Sequence, residues 1–218
     1  MEYSNVVYII IVIIVLYYFI TWYLADSTEM VAIHGTGETL SIAAAKGGKS
    51  SHINCAYSIW ININEYKTSE RNIFDRKDIK MKLDIDNNLC LDVNTGSATL
   101  TPAIINTDKL SLPMQKWVNI IISFESQYLT VYIDGKMVAS KEVKGWTAAE
   151  SETTIGGDTS FSGEIANFKY YNDYLTVREA WEIYRDGYGS GFLSGLLNKY
   201  KLKVAFLEDN SEVTSFEF

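Results

Sequence analysis

Period two dominates the middle of the chain. Val118, Ile120, Ile122 and Phe124 alternate with Trp117, Asn119, Ile121 and Ser123, and after Glu125-Ser126-Gln127 the alternation resumes as Leu129, Val131 and Ile133 against Tyr128, Thr130 and Tyr132. Half-buried strands have this pattern, because successive side chains point to opposite faces. Asp134-Gly135 then supplies two residues that tolerate the positive φ angles of a two-residue hairpin turn. Pro113 to Ser140 therefore reads as three successive antiparallel strands, with Val131 opposite Val138 and Tyr132 opposite Met137. The same alternation runs through Tyr57, Ile59, Ile61 and Ile63, through Ile79 to Val93, and through parts of Glu152 to Tyr171. In the Ile79–Val93 hairpin a three-residue Asp86-Asn87-Asn88 loop sets Ile85 against Leu89, Leu83 against Leu91, Met81 against Val93 and Lys82 across from Asp92. At Thr176 the period lengthens. Thr176-x-x-Glu179 is a capping-box pattern, Val177, Ala180, Trp181 and Tyr184 follow at helical spacing, and Gly187 ends the element. Many short strands and one short helix predict an all-β, two-sheet antiparallel sandwich.

The N-terminal run has a different pattern. Tyr3 to Ala25 contains no charged residue and as a helix would span about 34 Å at roughly 1.5 Å per residue, enough for a bilayer core. It is read as a single transmembrane α-helix, with Tyr3 and Tyr8 at one membrane interface and Tyr17, Tyr18, Trp22 and Tyr23 at the other. A cleaved signal peptide is the competing reading, but Glu2 is the one charged residue before the run and no basic n-region is present. The first Lys or Arg is Lys46, so the positive-inside rule leaves the orientation open. The chain divides into an anchor (1–25), a stalk with a first short strand near Thr39 to Ala43 (26–51), a β-sandwich (52–188) and a C-terminal extension (189–218). In the extension Lys201 to Phe206 reads as one more strand, and the acidic, aromatic end is extended.

Composition narrows the function classes. A net charge of −8 with no basic cluster argues against nucleic acid as a partner. Cys55 and Cys90 are too few for a disulfide framework and leave one bridge or two thiols open. Lys46-Gly47-Gly48-Lys49-Ser50 has Ala43 where a phosphate-binding loop needs glycine, so no nucleotide cofactor is expected. His34 and His52 have no companion at metal-ligand spacing. Asp84, Asp86, Asn87, Asn88 and Asp92 gather oxygen ligands near one hairpin, as a calcium site or as turn chemistry. Trp60, Trp117, Trp146 and Tyr132 are candidates to stack on a sugar or to pack the sheets.

In order along the chain, YSIWININ (Tyr57 to Asn64), LPMQKWVNIIISF (Leu112 to Phe124), LTVYIDGKMV (Leu129 to Val138), TIGGDTSFSGEIANFKYYNDYLT (Thr154 to Thr176) and REAWEIY resemble the laminin G-like, concanavalin A-like lectin and glucanase superfamily. The resemblance implies a jelly-roll of two curved sheets whose loops and concave face hold sugars, calcium or protein partners in relatives. The paired carboxylates of its glucanase members, in an E-x-D-x-x-E strand, do not occur here, so the chain is expected not to be an enzyme. An N-terminal membrane helix before such a domain is similar to minor capsid or virion-membrane proteins of large icosahedral DNA viruses. It implies a docking role between an internal bilayer and capsid proteins, at the virion membrane. The alternative is a membrane-displayed lectin. For either role the candidate glycan or partner contacts are Trp60, Tyr132, Trp146, Asp84, Asp86 and Asn88, with no cofactor and no catalytic residue.

Overall fold

A computed structural model describes residues 8, 11–19, 27–47, 53–94, 111–189, 203–208 and 211–217. The strands in chain order are β1 (Ser27–Gly35), β2 (Leu40–Ile42), β3 (Cys55–Ile63), β4 (Arg71–Asp75), β5 (Ile79–Leu83), β6 (Leu89–Val93), β7 (Trp117–Glu125), β8 (Tyr128–Ile133), β9 (Lys136–Glu142), β10 (Thr153–Ile155), β11 (Gly163–Tyr171), β12 (Lys203–Glu208) and β13 (Ser211–Glu217). One 3-10 turn, Ala44–Lys46, and one α-helix, Val177–Asp186, complete the domain.

The period-two strands assemble as they must to bury their apolar faces. A six-stranded antiparallel sheet runs β1-β11-β3-β7-β8-β9, and a five-stranded one runs β2-β10-β4-β5-β6. Cys55, Tyr57, Ile59, Ile61 and Ile63 of β3, and Val118, Ile120, Ile122 and Phe124 of β7, face inward. There they meet Ile73, Phe74, Met81, Leu83, Leu89 and Leu91 of the smaller sheet in one continuous core. Aromatic pairs cross the interior: Phe74 lies 5.2 Å from Phe168 and 5.9 Å from Tyr57 between ring centroids, and Trp146 stacks on Phe124 at 3.6 Å. A sandwich forms because each sheet has one wet face and one dry face. The helix packs Ala180, and the segment leading into it Leu175, onto Ala56, Ile121 and Tyr132, on the outer face of the larger sheet. β12 and β13 pair as a separate two-stranded hairpin.

The hairpin β7-β8-β9 has the expected order. Asp134 and Gly135 take φ of 49° and 71°, and Tyr132 pairs with Met137, but a bulge shifts Val131 from Val138 to Ala139. The β5–β6 register differs by two residues from expectation. Leu83 pairs with Leu89, Met81 with Leu91 and Ile79 with Val93, which turns Asp84 to Asn88 into the loop and leaves Ile85 exposed. A slip of two preserves which side chains face inward, so hydrophobic alternation alone does not choose between the registers. Asp84 Oδ1 chooses, by accepting the N–H groups of Asp86 and Asn88 at 2.8 Å each while Asn87 takes a left-handed φ of 63°. Lys82 still reaches Asp92 diagonally, at 3.2 Å. Ser27–Gly35, expected in a stalk, is instead the edge strand of the larger sheet, paired with β11.

The single-pass membrane expectation is corrected. Among the described residues no helix is long and apolar enough to cross a membrane. The described helical run at 11–19 accounts for about 14 Å at roughly 1.5 Å per residue, against the roughly 30 Å of a bilayer core. Tyr8, Tyr17 and Tyr18 are exposed on helical residues, while Tyr3, Trp22 and Tyr23 lie outside the described residues.

Candidate functional site

Cross-strand neighbours share a face, so pairing registers map the outer surface of the larger sheet. One row runs Gly35, Glu164, Asn62 and Trp117; the next runs Ile33, Ala166, Trp60 and Asn119. The helix covers the rows beyond them, and its C-terminal end delivers two rings onto these two. Tyr184 stacks on Trp60 at 5.8 Å, and Tyr188, just past Gly187 (φ 80°), stacks on Trp117 at 4.4 Å and meets Trp60 edge-on at 5.8 Å. Trp181 extends the array, 5.6 Å from Tyr184. The result is a row of rings, Trp117-Tyr188-Trp60-Tyr184-Trp181, in which Tyr188 and Trp181 are the exposed members at 45% and 46%.

Polar atoms lie beneath this row. Among the described residues Trp60 Nε1, Asn62 Oδ1 and Asn119 Oδ1 are buried without a hydrogen-bond partner, whereas Asn119 Nδ2 donates to Ser58 Oγ at 3.3 Å. Beside it opens a cavity of about 420 Å³ lined by Glu29, Ala32, Ile33, Ala166, Asn167, Tyr188 and Gly189. Ala166 lines it with a small side chain, Glu29 supplies a carboxylate, and Asn167 Nδ2 donates to the Gly187 carbonyl at 3.5 Å. A second cavity of about 420 Å³ lies against the smaller sheet, lined by Asn72, Asp75, Lys77, Glu152, Thr154 and Thr159 among others. Its lining is more polar than that of the first, includes no aromatic side chain among the described residues, and its Asp75 is engaged by Lys80 at 2.9 Å.

The six contacts expected from sequence fall in separate places. Trp60 sits in the ring row. Tyr132 shares its sheet face but lies under the helix, where its hydroxyl donates to the Leu175 carbonyl at 3.2 Å and burial raises its pKa. Trp146 is inside the sandwich. Asp84, Asp86 and Asn88 belong to the β5–β6 turn, and the carboxylate oxygens of Asp84 are taken by Asp86 N, Asn88 N and Asn88 Nδ2. Among the described residues no group of three or more His, Cys, Asp or Glu is placed to hold a metal. Cys55 is buried and Cys90 half-buried, both as free thiols; burial pushes the Cys55 thiol far above the usual range. His34 Nε2 lies 2.9 Å from the Glu38 carbonyl. Tyr188 is the member that sequence patterning misses, because its surroundings come from Trp60 and Trp117, far away in the chain.

No curated protein matches the chain. Solved structures that resemble it include a botulinum neurotoxin serotype D ligand-binding domain in complex with N-acetylneuraminic acid (TM-score 0.56, 13% identity, covering 75% of this chain and 50% of that one). Another is domain 4 of an extracellular arabinanase from Geobacillus stearothermophilus in complex with arabinotriose (0.53, 20%, 69% and 74%). A third is the binding domain of botulinum neurotoxin DC in complex with rat synaptotagmin II (0.53, 14%, 72% and 45%). The chain thus spans about half of the neurotoxin domains, and at these identities the likeness is one of fold. The family profile described as the concanavalin A-like lectin/glucanases superfamily matches residues 34–180, and the chain belongs to that superfamily.

Proposed function

We propose that this chain is a non-catalytic recognition domain for carbohydrate, and that the sugar sits in the cavity beside Tyr188. The observation that carries the reading is Tyr188 itself: its ring is backed by Trp117 and lines a cavity that also offers Glu29 and Asn167. A pyranose needs an apolar ring to lie on and convergent carboxylates and amides for its hydroxyls, and such sites are concave and partly preformed. The arabinotriose and N-acetylneuraminic acid held by two structural relatives support the class of ligand. Among the described residues Glu29 is the one carboxylate of the lining, whereas glycoside hydrolysis uses a flanking pair, which favours holding over cutting.

The test is binding of the full chain to a broad glycan panel, with and without calcium, compared with Tyr188→Ala and Glu29→Gln. Binding that falls at least about tenfold in Tyr188→Ala, roughly 1.4 kcal/mol, is expected, with the thermal midpoint held. A flat panel from folded protein would sink the sugar reading. Protein docking, including a link to a virion shell, is the second reading, favoured by the large apolar side chains of Ile33 and Tyr188 exposed at the same cavity and of Trp181 exposed at the far end of the ring row. Crosslinking of the full chain in its native setting reports it directly.

A further inference from the structure

Two arginines are buried in the described structure, and they are treated differently. Arg76 donates from all three side-chain nitrogens, to Asp78 at 3.0 Å, to Thr153 Oγ1 at 3.0 Å and to the Ala149 carbonyl at 2.6 Å. Arg71, at the start of β4 and 1% exposed, donates from Nη2 to the Asp84 carbonyl at 2.5 Å, while its Nε and Nη1 have no hydrogen-bond partner among the described residues. The Asp84 carboxylate does not fill the gap, since both of its oxygens already accept from the Asp86 and Asn88 amides. Asn87 shares the shortfall. It is 4% exposed, its N–H reaches the same Asp84 carbonyl at 3.3 Å, and its side-chain Oδ1 is unpartnered. The Asp84 carboxylate acts on Arg71 only from a distance, and a buried guanidinium with unused N–H groups and no carboxylate at ion-pair distance is costly unless something negative completes it. Planar N–H groups select oxyanions.

We propose that Arg71, with the side-chain amide of Asn87 turned to present its N–H, forms a site for a compact oxyanion, the carboxylate or phosphate group of a ligand. Tyr66 is its cover. The ring lies 5.8 Å from the guanidinium, is half exposed, and is tethered by its hydroxyl to the Ile85 carbonyl at 2.6 Å, so a rotation of one side chain admits the anion. The site belongs to the β5–β6 turn and stands apart from the Tyr188 cavity, so either can fail without the other.

The experiment follows the arginine Nε–H resonances of the 15N-labelled full chain, which has four arginines, at constant ionic strength in chloride. Sodium glucuronate, inorganic phosphate and neutral glucose are the three titrants. The Arg71 signal, assigned by its loss in Arg71→Lys, is expected to shift saturably with glucuronate, phosphate or both, and to ignore glucose. Saturation by glucuronate alone assigns the carboxylate, and by phosphate alone the phosphate. If neither saturates, if glucose matches them, or if Arg76 moves in parallel, the proposal is overturned. Asn87→Asp guards against a misfolded lysine variant: it adds a carboxylate to the turn whose Asp84 carbonyl Arg71 and the Asn87 N–H share, and is expected to abolish the titration with the fold retained. An Asn87→Asp protein that titrates like the parent also overturns the site.

Discussion

Asp84 does at the scale of one residue what decides a whole hairpin. Burial alone would raise its pKa, but the Asn88 side chain, the Asn88 and Asp86 N–H groups and nearby Arg71 outweigh burial and hold the carboxyl below the usual range. A folded pKa lower than the unfolded one means that the stability Asp84 contributes is fully present above the unfolded value, about 3.9, and is lost as pH falls through the folded value. Urea midpoints measured between pH 6 and pH 2.5 should therefore fall less steeply in Asp84→Ala than in the parent, and Asp84→Ala should cost about 1 kcal/mol at neutral pH. An unchanged acid limb would show that the turn is not held this way. The same residue shows where sequence stops being legible. The oxygens of Asp84, Asp86 and Asn88 mark a turn plainly, yet both registers bury the same leucines, and only hydrogen-bond geometry separates them. Tyr188 lies past the readable helix pattern altogether, and its role comes from two tryptophans on strands it never adjoins in sequence.

Among elements, the helix at Val177–Asp186 is set by local chemistry and by what it covers. Thr176 Oγ1 accepts the Glu179 N–H, and Glu179 returns a hydrogen bond from the Thr176 N–H at 2.8 Å, so the capping box legible in T-x-x-E is present. Just before it, Leu175 ties the helix to the sheet, its carbonyl accepting from Tyr132 and Ser123 and its N–H donating to Ser123 Oγ at 2.8 Å. Thr176→Ala should cost about 1 kcal/mol, seen in urea unfolding and as faster amide exchange confined to the first helical turn. The β8–β9 turn fixes the other side of the helix. Gly135 has φ of 71°, and a Cβ there would lie 3.0 Å from the Trp181 ring and from Tyr184 Cβ, so Gly135→Ala combines strain with a clash. Its expected cost is about 1–2 kcal/mol, together with a changed Trp181 fluorescence; a neutral result would mean that the helix is free to shift. Asp134-Gly135 announced the turn in sequence. What it did not announce is that the helix would lie against it, since that contact joins elements some forty residues apart. Ser27–Gly35 was hidden for a related reason: as an edge strand with one neighbour, its burial comes only from β11 and the underlying core, so its apolar alternation is weak.

At the scale of the whole molecule, the two sheets and their connecting loops converge on the Arg76–Asp78 pair. Asp78 Oδ2 accepts the Ala149 N–H at 3.1 Å while Arg76 reaches Thr153 and the Ala149 carbonyl, so the segment between β9 and β10 is fastened to the β4–β5 turn. The guanidinium lies 5.6 Å from the centre of the Tyr57 ring, and Tyr57 in turn donates to the Gly47 carbonyl at 3.1 Å. Gly47 is confined by this arrangement, because a Cβ on it would fall 1.8 Å from Arg76 Nη1. Both partners of the ion pair are almost completely buried. Removing one leaves the other as an uncompensated charge, the costliest way to break such a pair, so Asp78→Ala should destabilise by about 3–5 kcal/mol. Replacing both, as Arg76→Met with Asp78→Leu, should recover a large part of that loss, since the penalty is the orphaned charge more than the missing attraction. Chemical denaturation of the two singles and the double decides it. If the double variant is as unstable as the sum of the singles, the pair is holding the loop by its hydrogen bonds to Ala149 and Thr153 and not by charge balance. If Asp78→Ala costs under about 1 kcal/mol, the range of an exposed pair, the clamp is not what closes the sandwich.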